Sequence, residues 1–150
     1  MANHRVRFFG AACKACGFEF SMPLLSDFSY GELIFHGERQ GVFGFLSSLE
    51  EAAWEDVDAR LRASVLRSAS PSRSEILRLQ RVVAAVADPI AGRRLVPFPV
   101  CPSCGSRSIV DDESDPRGTG EIPRVTFQHY LSLSDAEKSR RVETLWIERG

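Results

Sequence analysis

Lysine is almost missing from this chain. Of its 19 basic residues, 17 are arginine and only two are lysine. Acids match bases so closely that the net charge is −1, which leaves no overall field to steer the protein towards nucleic acid. Long apolar runs are missing too, since none approaches the roughly 20 residues needed to span a bilayer. The opening Met1-Ala2-Asn3-His4-Arg5 has no apolar segment behind it, so no signal peptide is visible. The expectation is a soluble, cytoplasmic protein with no membrane partner. Histidine is scarce: His4, His36 and His129 lie far apart and near no evident nucleophile. There is no Walker loop, no G-x-G-x-x-G and no G-x-S-x-G elbow. These absences point away from an enzyme.

Cysteine is rare but ordered. All four cysteines fall in two short loops, Cys13-Lys14-Ala15-Cys16-Gly17 and Cys101-Pro102-Ser103-Cys104-Gly105. Two residues between thiolates let both sulfurs reach one tetrahedral ion. The glycine after the second cysteine can take a positive φ, so that the loop curls and its amides face the sulfurs. Two such loops supply four thiolates and close the coordination shell, a structural rather than a catalytic pattern. Disulfides also fit the even count, but nothing suggests secretion. A thioredoxin-type pair would open a helix after a strand, and two unrelated copies would be odd. An iron centre could use the same loops. One structural Zn2+ on Cys13, Cys16, Cys101 and Cys104 is the expected cofactor.

Arg5-Val6-Arg7-Phe8-Phe9 precedes the first loop and Phe18-Glu19-Phe20 follows it. Leu95-Val96-Pro97-Phe98-Pro99-Val100 precedes the second, and Ser108-Ile109-Val110 follows. In this strand–knuckle–strand repetition the chain resembles the zinc ribbons, over residues 5–22 and 94–111. It departs from a compact ribbon because 84 residues separate the knuckles. The resemblance implies a ribbon closed by distant segments, with an inserted subdomain at about 30–90. At 150 residues the chain is long enough for one core, so a single α+β domain over 1–150 is expected.

Within the insertion, residues 32–36 and 42–46 are apolar runs around Gly37-Glu38-Arg39-Gln40-Gly41, a β-hairpin pattern. Phe28, Phe35, Phe43 and Phe45 read as core, with a surface aromatic patch on Phe43 and Phe45 as the alternative. Ser48-Leu49-Glu50-Glu51 has the form of a capping box, and Trp54, Val57, Leu61 and Val65 form a helical stripe after it. Ser68-Ala69-Ser70-Pro71 breaks that helix. Ser72 with Glu75 starts another, with Ile76, Leu79, Val83 and Val86 as its stripe, ended by Asp88-Pro89. The pair should form an antiparallel helical hairpin. Residues 111–121 are charged and carry glycine and proline, and read as a mobile loop. Val125-Thr126-Phe127-Gln128-His129-Tyr130 alternates like a strand. Ser134 with Glu137 opens a C-terminal helix over about 135–148, carrying Val142, Leu145, Trp146 and Arg149.

From Arg60 to Arg94 there are eight arginines against Glu75 and Asp88, the one basic concentration in the chain. An arginine excess suits phosphate or carboxylate recognition, and it also follows from GC-rich coding. On the outer faces of two helices these residues either solvate them or meet an acidic partner. Arg60, Arg67, Arg78 and Arg81 are the candidate contacts on the basic side. Asp111, Asp112, Glu113 and Asp115 are those on the acidic side.

The expected function is a non-enzymatic protein-binding module: an adaptor, a regulatory subunit, or an immunity protein against a bacterial toxin. Nucleic-acid binding through the arginine helices is the competing expectation. A third reading comes from His36-Gly37-Glu38 and Cys101-Pro102-Ser103-Cys104, which superficially match the H-x-E and P-C-x-x-C of zinc deaminases. Val100 intrudes between Pro99 and Cys101, the histidine sits in a hairpin where a deaminase needs a helix start, and Cys13 and Cys16 would have no task.

Overall fold

The computed structural model describes residues 3–26, 29–38 and 41–149. Phe28 of the expected core, and Arg39 and Gln40 of the expected hairpin loop, lie outside them. The elements are β1 (His4–Cys13), β2 (Glu19–Leu24), β3 (Glu32–Gly37), β4 (Phe43–Ser47), α1 (Ala52–Ala63), α2 (Arg73–Val86), β5 (Leu95–Val96), β6 (Ile109–Ile122), α3 (Gln128–Ser132) and α4 (Asp135–Glu148). This is an α+β fold with two antiparallel sheets, ordered β2-β1-β6 and β4-β3-β5. None of its described helices is long and apolar enough to cross a membrane.

Strand alternation explains the layering. On the β3–β4 hairpin, Phe35 and Leu46 face α1, α2 and α4, where they join Val57, Leu61, Leu79, Val83, Val142, Leu145 and Trp146 in the main core. Ile34, Phe43 and Phe45 face the other way and meet Val6, Phe8 and Ile122 of the first sheet. The second sheet is therefore a middle layer, between the first sheet and the helices. Phe43 and Phe45 do share a face, but it is an internal one rather than a surface patch. Stacking of His4 on Phe45 at 3.5 Å between ring centroids adds a clamp between the sheets. Gly44 lies opposite Phe35, and an added Cβ would come within 2.7 Å of Ile90 Cδ1 and Val125 Cγ2. Close approach of these two side chains requires glycine there.

The charged stretch 111–121 is not a loop. It belongs to β6, which pairs with β1 from His4↔Ile122 to Cys13↔Ile109. Ile122 anchors one end in the small core, and the acids between face solvent. Backbone pairing to an otherwise open side of β1 outweighs the loop-like composition. That composition shows instead as two register shifts. Phe9 opposes Pro116 whereas Gly10 opposes Asp112, so residues 113–115 bulge from the sheet.

Three further expectations are corrected. α1 starts at Ala52 with Glu51 as its cap, the Glu51 carboxylate accepting from Ala53 N at 3.1 Å. Ser48 does not cap it; its hydroxyl instead donates to Gly31 O at 2.8 Å. Val65 is not in the stripe either: it lies beyond the helix at φ 53° and is 91% exposed. The amides of Leu66 and Val65 reach back to the carbonyls of Leu61 and Arg62, a left-handed helix termination that usually employs glycine. Finally, 125–130 is no strand. Asp88 accepts from Thr126 Oγ1 and from the Gln128 amide, both at 2.7 Å, and from the His129 amide at 3.2 Å. A carboxylate 40 residues away thus starts α3. The stripes of α2 and α4 form as expected, except that Ile76 is exposed and Arg149 caps α4.

Candidate metal centre

The two knuckles fold as copies of one another. Cys13 N donates to Phe18 O at 3.0 Å, and Cys101 N to Ser106 O at 2.8 Å. Gly17 N donates to Cys13 O at 2.8 Å, and Gly105 N to Cys101 O at 2.9 Å. Gly17 and Gly105 take φ of 77° and 76°, the left-handed conformation that closes each curl. Side by side placement comes from the Lys14 N to Ser108 O bond at 2.8 Å and from the β1–β6 pairing up to Cys13↔Ile109.

This brings all four sulfurs within 4.8 Å of one another, with Cys13 and Cys101 buried and Cys16 and Cys104 exposed. Cys13 Sγ is 3.6 Å from Cys104 Sγ, and Cys16 Sγ is 3.5 Å from Cys101 Sγ. A Zn–S bond of about 2.3 Å sets the edge of a sulfur tetrahedron at about 3.8 Å. The cluster therefore fits one metal ion, and the residues present match a four-thiolate donor set.

Local electrostatics agree with the geometry. Burial opposes ionisation of Cys101, but the Cys104 and Ser103 amides, each 3.4 Å from its sulfur, help hold its pKa below the ordinary thiol value. Burial likewise works against the Cys13 thiolate, and the Cys16 and Ala15 amides outweigh it, bringing the thiol down to about 6. For Cys16 the Phe18 amide favours the thiolate, yet burial and the neighbouring sulfurs prevail and push it up to about 12. Without a cation, four adjacent thiolates repel one another. A dication removes that conflict.

The strands on either side of the second knuckle belong to different sheets. β5, before the second knuckle, pairs with β3 in the second sheet, while β6, after it, pairs with β1 in the first. The second knuckle therefore bridges the two sheets. His36 does not join the cluster: among the described residues, the one His/Cys/Asp/Glu group placed to hold a metal is the four cysteines. His36 is buried on β3 against Phe43, and burial lowers its pKa to about 4.

The four arginines singled out from the sequence all make contacts within the protein. Arg60, 17% exposed, donates to Asp56 Oδ2 at 2.8 Å and reaches Asp135 and Ser139 of α4. Arg67, 7% exposed, pairs with Asp58 at 2.9 Å. Arg78 donates to Trp146 O at 2.7 Å and lies over the Trp146 ring at 4.4 Å. Arg81 reaches Arg149 O at 3.5 Å and lies 5.7 Å from the Phe98 ring. The acidic set lies on β6. Asp111, Asp112 and Glu113 are exposed, Asp112 accepts from the Ser114 amide at 3.0 Å, and Asp115 pairs with Arg117 at 2.9 Å.

Of the arginines near Phe98, sequence reasoning named Arg81 of α2 but missed Arg107 of the second knuckle and Arg141 of α4, which lie outside the basic stretch 60–94. The position of Arg107, three residues past Cys104, was the local signal that could have found it. No protein-family model matches the chain, and no match to it was found among curated proteins or solved structures.

Proposed function

We propose that the chain is a non-enzymatic, cytoplasmic protein-binding module built on one structural zinc, in effect a zinc ribbon whose knuckles come from distant segments. Adaptors, regulatory subunits and toxin-neutralising immunity proteins are the classes this reading covers. The observation that carries it is the duplicated knuckle: four thiolates in two equivalent loops fill a tetrahedral shell and leave no position for substrate or reactive water. Zinc in that setting holds β1, β5 and β6 in place, and the surface they support is what meets a partner. The inward engagement of Arg60, Arg67 and Arg78 favours a protein partner over nucleic acid, because those side chains serve α1 and α4.

The test is recovery of the tagged chain from its native lysate with and without nuclease. One stoichiometric protein that survives nuclease supports the reading. Recovery of nucleic acid or ribosomal proteins, lost on nuclease treatment, would overturn it in favour of a nucleic-acid-binding ribbon.

A further inference from the structure

Two adjoining grooves run along the open side of the helical layer. One, of about 730 Å³, lies between the end of α2, α3 and α4. The other, of about 340 Å³, lies between α2, the β5 segment and the end of α4. They share Ala85, Arg94 and Arg141. The smaller groove is lined by Arg81, Arg94, Arg107, Arg141 and Arg149 against two acids, Glu38 and Glu148. Only Arg94 has a carboxylate within ion-pairing range among the described residues, Glu38 at 3.8 Å, and both of those side chains are exposed.

What holds two of these cations is an aromatic ring. Arg107 Cζ lies 3.7 Å from the centroid of Phe98 and Arg81 Cζ lies 5.7 Å from it. At 3.7 Å above the ring, Arg107 presents the face of its guanidinium to Phe98, a contact that leaves the in-plane N–H edge open. That edge is what a carboxylate engages with two parallel hydrogen bonds. Arg81 Nε is buried with no hydrogen-bond partner, a donor left unsatisfied in the described chain. A concentration of cations with open donor edges is what an anionic ligand relieves.

The remaining walls decide which anion. Leu95, Val96 and Pro97 give an apolar side, and Glu38 and Glu148 interrupt the positive charge. A continuous phosphate backbone would meet those glutamates, and Phe98 already has guanidinium groups against it where a base would stack. Separate carboxylates around an apolar side chain suit the same walls. Resting on the reading of the chain as a protein-binding module, we propose that this arginine-lined groove receives an extended acidic segment of the partner protein, its carboxylates held by Arg81, Arg107 and Arg141 and an apolar side chain set against Leu95–Pro97.

The probe is a short labelled peptide of glutamates around a central leucine, titrated by fluorescence anisotropy. Inorganic phosphate and single-stranded oligothymidylate serve as competitors. Binding should weaken as salt rises, and Arg107→Ala and Arg141→Ala should each weaken it about tenfold. Arg73→Ala, at the far end of α2, should leave it unchanged. Arg141 lies on α4, so its variant is informative even if Arg107→Ala disturbs the knuckle. No peptide binding, an equal loss with Arg73→Ala, or tighter binding of the oligonucleotide through the same arginines would overturn the proposal. A groove that fails while a nuclease-resistant partner is still recovered removes this assignment and leaves the broader one standing.

Discussion

Tyr130 donates its hydroxyl proton to Asp56 Oδ2 across 2.6 Å, and the same oxygen accepts from Arg60 Nε at 2.8 Å. Through this one oxygen α3 is joined to α1, and Arg60 extends the connection to Asp135 and Ser139 of α4. Burial opposes the Asp56 carboxylate, but hydrogen bonds from Arg60 and Tyr130 hold its pKa below the usual range. Tyr130→Phe should lower unfolding stability by about 1.5–3 kcal/mol, the range for a hydrogen bond to a charged group. Asp56→Asn should lose this contribution at neutral pH and differ less from the parent in acid, once the native carboxyl protonates. Urea titrations of the single and double variants give the coupling between the two residues. Additive losses would contradict a shared network.

Metal should be present at one equivalent per chain and bound by thiolate alone. Replacement with Co2+ should give the intense visible absorption of a tetrahedral thiolate site. Cys16→Ser or Cys104→Ser should lose the metal and leave a protein without fixed tertiary packing, seen as loss of near-ultraviolet circular dichroism. Structural zinc contributes roughly 10–16 kcal/mol in finger peptides, comparable with the stability of a whole domain. A metal-free variant with native stability would show that the cluster is dispensable.

His36 should make the protein sensitive to mild acid. Burial lowers its pKa from 6.5 to about 4, so the unfolded chain takes up the proton first. Its full contribution is present above about pH 6.5 and is lost as pH falls towards 4, a span worth on the order of 3 kcal/mol. Relative to the parent, His36→Phe should therefore gain roughly 2 kcal/mol of stability between neutral pH and about pH 5. Comparing the two proteins at each pH cancels the acid-dependent loss of metal that both share.

Val65 occupies a backbone conformation that suits glycine, at φ 53°, with its side chain in solvent. Val65→Gly should raise the thermal midpoint, with a gain of about 1 kcal/mol from relief of left-handed strain. A decrease would mean that the side chain contributes more than its exposure implies.

The site was more legible than the fold around it. A knuckle is a local object: the two-residue spacing and the following glycine specify its curl, and duplication does the rest. The helical stripes of α2 and α4 were equally local. Elements set by partners far along the chain were not. β6 carries strand conformation on acids, glycine and proline because β1 supplies its hydrogen bonds, and α3 forms where the sequence alternates because Asp88 caps it from before the second knuckle. The same holds for the arginines. Their density is visible in the sequence, whereas Asp135, which Arg60 reaches, and Trp146, which engages Arg78, lie 75 and 68 residues away.

The position of β1 between β2 and β6 has a consequence for the order of synthesis. Its first neighbour is made almost at once, but the second arrives about 100 residues later, when Ile109 and its successors emerge. At ordinary translation rates that interval is roughly 5 to 20 seconds. Throughout it the nascent chain carries half of a metal site at Cys13 and Cys16 and an unpaired strand edge beside it, the kind of edge that recruits other chains. Metal capture by all four cysteines becomes possible only after Cys104 leaves the ribosome, so occupancy of the site marks a chain whose sheets have already met.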